Sequence, residues 1–180
     1  MKTKVLLLAV FVLALYACDD LGEVSFETTI SETMVADIVE PVGVTTNDLK
    51  STLEGYSYYE VDTIDIAENK DLNKYLKKIK EIKVYDVKCK LNGIPEGETI
   101  NELTIKAKEA NWSYTLNNLT DNNAEISLEN ISGDDLLALG NELLNYEKLT
   151  VSIEGTSSYA PMTLSVSLDM KAKVKADVLK

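Results

Sequence analysis

The side chains best suited to acid–base chemistry in this sequence are carboxylates, and they gather at two places. The clusters are Asp62, Asp65, Glu68 and Asp71 in one segment, and Asp134 with Asp135 in another. Two carboxylates at a suitable separation can hydrolyse a glycosidic bond. However, helix N-termini favour acidic residues through the helix dipole alone, and a chain with 30 acidic residues forms such clusters by chance. An acid-pair hydrolase is therefore the least favoured hypothesis, and we expect no catalytic residue.

Other catalytic and metal-binding chemistries are poorly represented. The sequence has no His and no Arg, so the commonest metal ligand, the commonest general base and the bidentate anion clamp are missing. The turn 121–123 could offer oxygen ligands to calcium, but the spaced acids of a dedicated calcium loop are absent from it. Cys89 shares one face of a predicted strand with Val87 and Leu91, which favours a core position over a reactive thiol. We expect no enzyme activity, no cofactor and no metal.

Aromatic residues give the best indication of binding. Tyr56, Tyr58 and Tyr59 cluster beside a polar segment, and exposed tyrosines can stack on sugar rings or anchor a protein partner. The alternative is that they fill a β-sheet core, as the parity of Trp112 and Tyr114 favours for those two residues. The three clustered tyrosines are the candidate contacts for a glycan or protein ligand.

The N-terminal residues have the features of a targeting segment. Lys2 and Lys4 precede an apolar run of twelve residues, Val5 to Tyr16. A membrane-spanning helix needs about 20 apolar residues, so this run is too short to span. A positive start followed by a short apolar stretch is typical of a secretory signal peptide.

The end of that segment is more specific, because Leu15-Tyr16-Ala17-Cys18 resembles the lipobox of bacterial lipoproteins. The resemblance implies that residues 1–17 are removed and that Cys18 becomes the lipidated first residue, although Tyr16 is a less usual occupant of its position. Two acyl chains, at about 0.8 kcal/mol per buried methylene, give a durable membrane anchor. The alternative is an ordinary signal peptide that happens to contain a cysteine.

Residues 18–23 would then form the lipidated cysteine and an acidic tether containing Asp19, Asp20 and Glu23. This cluster resembles the surface-export signal of lipoproteins in gut-type Gram-negative bacteria. In some other Gram-negative lipoproteins an aspartate after the cysteine favours inner-membrane retention. A third alternative is that the acidic tether only keeps the anchor region solvated. We expect a lipid-anchored outer-membrane protein at the cell surface, with the periplasmic face as the alternative.

The remaining chain, 24–180, has the size of one domain. Loss of Lys2 and Lys4 would leave 16 of the 18 lysines against 30 acidic residues, a net charge of −14. Such a charge repels phosphate backbones, so we expect no nucleic-acid partner. The membrane, reached through Cys18, and a glycan or protein ligand are the expected partners.

Alternating polarity predicts a mostly β fold. Every even position from Met162 to Val178 is apolar, which predicts a half-buried strand so long that it should bend or bulge midway. A parity switch near Glu109 predicts a break between two strands, and Gly155 is expected to close a strand that begins at Leu149. The other predicted strands are Val24–Ile38 in two runs, Tyr58–Ile66 and Ala124–Leu128.

Two short helices are predicted, at 72–79 and 136–144, the second with a capping box at Ser132 and Asp135. Each lies between two strands, which suggests a repeated strand–helix–strand unit capping opposite ends of the fold, or coincidence. The predicted fold is an antiparallel β-sandwich, immunoglobulin-like in general shape, with two short helices in its connections.

Together these features resemble the small lipoproteins of unknown activity that gut-type Gram-negative bacteria encode in number. The resemblance implies location and fold more than activity. Our leading hypothesis is a non-catalytic binding or accessory module. The alternative is a structural envelope or fimbria-like assembly subunit whose long C-terminal strand pairs with a neighbour's sheet edge.

Overall fold

The computed structural model describes residues 22–40 and 55–178. The predicted signal peptide, Cys18, Asp19, Asp20 and residues 41–54 lie outside the described residues. The strands are β1 Glu23–Ile38, β2 Tyr56–Asp65, β3 Ile79–Asn92, β4 Ile100–Ala107, β5 Trp112–Leu119, β6 Glu125–Ser127, β7 Lys148–Ser157 and β8 Met162–Asp177. A 3₁₀ helix, Asn73–Lys78, joins β2 to β3, and helix α1, Gly133–Tyr146, joins β6 to β7.

The strands form two antiparallel four-stranded sheets, in the orders β1-β8-β3-β6 and β2-β7-β4-β5. Apolar residues at alternate positions point inward from both sheets and form one core, while the intervening residues face solvent. The predicted β-sandwich is therefore confirmed.

Strand β8 lies inside the first sheet. It pairs with β1 over the whole register from Glu23↔Asp177 to Ile38↔Met162 without a shift. The prediction that β8 itself bulges is wrong, because its irregularities with β3 arise where β3 has extra residues, at Ile79/Glu81 and Val84/Asp86. Since both edges of β8 are paired, it has no free edge to offer a neighbouring molecule, and an assembly subunit would need another surface.

Three other predictions can be compared directly with the fold. The break near Glu109 is confirmed as a turn over residues 108–111 that separates β4 from β5. Strand β1 is continuous where two runs were expected. Gly155 does not close its strand, since β7 continues through it to Ser157.

Side-chain hydrogen bonds order the chain around both helical segments. Asn69 Oδ1 accepts the N–H groups of Asp71 at 2.9 Å and Leu72 at 3.2 Å in the turn before the 3₁₀ helix, which itself has no side-chain cap. Ser132 caps α1 by accepting the N–H of Asp135 at 3.1 Å, and its hydroxyl donates to the Asp135 carboxylate at 2.8 Å, so the predicted N-cap is confirmed. The C-terminal end of α1 and the start of the β2–β3 connection lie at the same end of the sandwich, not at opposite ends as predicted, because the N–H of Ile66 donates to the carbonyl of Glu147 at 3.0 Å.

The sheet edges carry features that block strand addition. Glu32 on β1 and Glu60 on β2 occupy inward-facing positions of edge strands, a common protection against edge-to-edge pairing. Asn69 Nδ2 donates to the outward carbonyl of Thr29 at 2.8 Å. Beyond the short β6, helix α1 covers the edge of β3, where Gly140 approaches the carbonyl of Ile82.

Cys89 is 2% exposed and lies in the core, and burial raises the pKa of its thiol to about 12. Trp112 is 5% exposed, so its predicted core position is also confirmed. Neither residue is accessible as a reactive or ligand-stacking group.

Candidate binding groove on the second sheet

The three clustered tyrosines are divided by the two-residue period of β2. Tyr56 is half-buried against the core and Tyr58 is 6% exposed, whereas Tyr59 is 62% exposed on the outer face. The hydroxyl of Tyr58 donates to the carbonyl of Glu102 at 2.9 Å, and burial, with a smaller contribution from the Glu102 charge, raises its pKa. The expectation that Tyr58 contacts a ligand is therefore corrected: it is a core residue, and Tyr59 alone presents its ring to solvent.

Tyr59 borders a groove of about 450 Å³ on the outer face of the second sheet. The groove crosses all four strands of that sheet and reaches the β4–β5 turn. Its lining consists of Tyr59, Lys106, Ala107, Lys108, Asn111, Trp112, Ser113, Ser152 and Glu154.

Strand register places the outward side chains around the groove in two rows. The first row, read from β2 to β5, is Tyr59, Glu154, Thr104 and Thr115; the second is Val61, Ser152, Lys106 and Ser113. In the first row the hydroxyls of Thr104 and Thr115 are hydrogen-bonded at 2.9 Å. Ser113 and Ser152 of the second row contribute hydroxyl groups to the groove lining, and the Tyr59 ring stands at its β2 edge.

Charge in the groove is nearly balanced. Lys106 forms an ion pair with Glu154 across β4 and β7, and both side chains remain about two-fifths exposed. Such an exposed pair adds little to folding stability, so its groups remain available to a ligand. Lys108 adds one further cation.

The turn at the end of the groove is held in place by Glu109. Its Oε2 accepts the N–H of Thr150 on β7 at 3.1 Å. Burial acts to raise the pKa of Glu109, but hydrogen bonds from its own and the Thr150 backbone outweigh burial, and the pKa is lowered. Asn111 completes the turn with a left-handed backbone, at φ 50°, which asparagine tolerates better than most residues. Lys108 and Asn111 therefore lie on a turn that is fixed to β7 by a hydrogen bond.

The predicted acid clusters have structural partners outside this groove. Asp65 accepts the N–H of Ala67 at 2.8 Å and pairs with Lys148 at 3.2 Å, and Asp135 belongs to the cap of α1. Within the groove lining, Glu154 is the sole carboxylate. The arrangement suits polar recognition and an aromatic stacking contact, and it presents no pair of carboxylates at one ligand.

Sequence reasoning identified Tyr59 and missed its neighbours. Lys106, Ser152 and Glu154 lie on β4 and β7, far from Tyr59 in sequence. Their outward parity was readable from the alternation in each strand, but the pairing of β2 with β7, and of β7 with β4, was not.

Two further features concern metals and membranes. Among residues 22–40 and 55–178, no group of three or more His, Cys, Asp or Glu side chains is arranged to hold a metal ion. In the same ranges no helix has the length and apolarity required to cross a bilayer.

Comparison with known proteins gives no family. No family model matches the chain, and no curated protein matches it. A structure of Desmodium yellow mottle tymovirus aligns with a TM-score of 0.36 and 10% identity, covering 89% of this chain and 93% of that chain. A cryo-EM structure of mud crab tombus-like virus gives 0.39 and 9% over 94% and 98%, and a nora virus structure gives 0.33 and 12% over 87% and 60%. Values this low support no conclusion about function.

Proposed function

We propose that this chain is a lipid-anchored cell-envelope protein whose β-sandwich is a non-catalytic module that binds carbohydrate in the groove beside Tyr59. The observation that carries the binding role is the exposed Tyr59 ring at the border of a groove whose lining includes the hydroxyls of Ser113 and Ser152. Sugar rings present an apolar face that stacks on aromatic side chains, and their hydroxyls match Ser, Asn and Lys partners.

The shape and charge of the groove support a neutral or weakly acidic glycan. A volume of about 450 Å³ lies within the range of ligand pockets, roughly 300–1,000 Å³. The Lys106–Glu154 pair neutralises most of the charge, and Lys108 could receive an acidic sugar. A protein partner would gain less from this surface, since Tyr59 and Val61 are its main exposed apolar side chains.

The lipid anchor rests on the lipobox resemblance of Leu15 to Cys18. The outer-membrane location and the cell-surface orientation are part of the same proposal. Protease shaving of intact cells tests the orientation: digestion of the domain while periplasmic markers survive supports surface exposure. Digestion only after the outer membrane is opened would contradict it.

Replacing Cys18 by serine should release the protein from membranes. Without a thiol to carry the acyl chains, at least two of which are needed for stable anchoring, we expect the protein to lose its covalent lipid. The measurements are membrane fractionation and intact-mass analysis of the extracted protein. A Cys89→Ser variant is the control and should stay anchored, because Cys89 is buried. A wild-type mass without added acyl groups would refute the anchor.

Replacing Tyr59 by alanine should weaken glycan binding at least tenfold. The loss of the stacking face removes both buried area and the ring's directional contact, and tenfold corresponds to about 1.4 kcal/mol. A glycan array would first identify a ligand, and titration calorimetry would then compare the affinities of the variants. Tyr146→Ala is the matched control, since Tyr146 is 67% exposed on α1, outside the groove.

Three outcomes would count against the carbohydrate module. The array could show no binding, Tyr59→Ala could bind as tightly as the wild type, or Tyr146→Ala could lose as much affinity as Tyr59→Ala.

A further inference from the structure

A cluster of lysines lies on the connection between β2 and β3, despite the acidic character of the whole chain. Lys70, Lys74 and Lys77 are exposed and Lys78 is half-buried. We call these four residues the lysine face. The intervening apolar side chains point the other way: Leu72 is fully buried, and the Tyr75 ring packs on Phe26 of β1 with centroids 5.3 Å apart.

Hydrogen bonds hold the segment that carries the lysine face in a fixed position. Asn69 binds the segment's own backbone and the edge of β1. Thr28 Oγ1 on β1 donates to Asp71 at 3.3 Å, and Asn73 donates to the carbonyl of Ala67. The lysines therefore project from a defined surface and not from a loose loop.

Among the described residues, three of the four lysines of the lysine face form no ion pair, although Glu68 and Asp71 are exposed on the same segment. Lys74 lies 4.0 Å from Asp71, but within the described part of the chain Lys70, Lys77 and Lys78 make no ion pair. By contrast, several lysines on the first sheet form ion pairs. Lys80, for example, contacts the carboxylates of both Glu23 and Asp177 at 2.7 Å.

The start of β1 lies at the same end of the sandwich. The carbonyl of Gly22 accepts the N–H of Val178 at 2.8 Å, and Lys80, two residues after the 3₁₀ helix, holds Glu23. Cys18 precedes Gly22 by four residues. Because an extended residue spans at most about 3.6 Å, Cys18 lies within roughly 14 Å of this end.

We propose that the lysine face contacts the anionic headgroup surface of the membrane that holds the anchor; this inference rests on the proposed lipidation of Cys18. Screening confines electrostatic interactions to about 8 Å at physiological ionic strength. The local lysines, and not the net charge of −14, therefore determine how this end meets the headgroups. The strands then run away from the bilayer, and the groove is held at the side of an upright domain.

The test uses the chain from residue 18 onward with Cys18→Ser, which has no acyl chain and retains every buried core residue. Circular dichroism confirms folding, and flotation measures partitioning onto vesicles of phosphatidylcholine with or without one-third phosphatidylglycerol at physiological ionic strength, with further salt added afterwards. We expect binding only with phosphatidylglycerol and release by salt. A Lys70→Gln/Lys77→Gln/Lys78→Gln variant should partition at least tenfold less, since each lysine near an anionic surface adds to the attraction.

The matched control is Lys90→Gln, compared with Lys77→Gln alone. Lys90 pairs in register with Ser167, farther from Glu23 than the lysine face, and both lysines are exposed and form no ion pair among the described residues. The control should partition within twofold of the parent. Equal losses in both variants, equal binding to phosphatidylcholine alone, or no binding to phosphatidylglycerol would each overturn the proposal. An unlipidated Cys18 in the native protein would instead refute the anchor. The vesicle measurement tests the lysine face separately, because the protein used in it carries no acyl chain.

Discussion

Replacing Gly155 by alanine should destabilise the sandwich by about 3 kcal/mol or more. Gly155 lies near the C-terminal end of β7, where a Cβ would stand 1.9 Å from the carbonyl oxygen of Glu102 and 2.7 Å from the hydroxyl of Tyr58. The carbonyl belongs to the backbone of β4 and cannot move without disturbing the sheet. The tyrosine would also lose its 2.9 Å hydrogen bond to Glu102.

Urea unfolding followed by Trp112 fluorescence measures this change, because Trp112 is the sole tryptophan and is buried. We expect a lower midpoint with an unchanged slope. Gly133→Ala is the control: a Cβ at Gly133 meets no atom within 4 Å, so stability should change by less than about 0.5 kcal/mol. A Gly155→Ala protein as stable as the wild type would refute the close packing of Tyr58 over Gly155.

The Gly155 case shows where sequence reasoning about the fold stops. Alternating polarity predicted the strands, because burial of one face is a local property with a period of two. A glycine in such a pattern suggests either an end or a close approach, and only the neighbouring strands decide between them. The same limit applies to β8, whose length suggested a bulge that the pairing assigns to β3.

The candidate site was less predictable than the fold. The outward position of Tyr59 was one of two alternatives permitted by the sequence, and burial of Tyr58 on the opposite face fixes the parity. The residues around Tyr59 come from β4, β5, β7 and the turn before β5. Their meeting depends on strand order, which one sequence does not reveal.

Replacing Gly140 by alanine should lower stability by about 1–3 kcal/mol, against the expectation from helix propensity. In the middle of an exposed helix this change is worth up to about 1 kcal/mol of added stability. Here a Cβ would lie 2.2 Å from the carbonyl oxygen of Ile82 and 3.5 Å from the N atom of Val84. Both atoms belong to the edge of β3 that α1 covers, so relief of the collision requires the helix to move outward. Leu139 and Leu143, which are 1% and 0% exposed, would lose packing as it moves.

Asn141→Ala separates the two effects, because Asn141 is an exposed neighbour on the same helix and gains propensity without a collision. It should leave stability unchanged or raise it by a few tenths of a kcal/mol. Hydrogen exchange gives a second readout: an outward shift of α1 should speed exchange over residues 79–84 in Gly140→Ala and leave Asn141→Ala as protected as the wild type. If both alanine variants were stabilised alike, helix propensity would outweigh the contact, and α1 would not be the element that seals this edge. Destabilisation confined to Gly140→Ala would instead establish that a backbone-to-backbone contact, available to glycine alone, closes the edge of β3 that β6 leaves open.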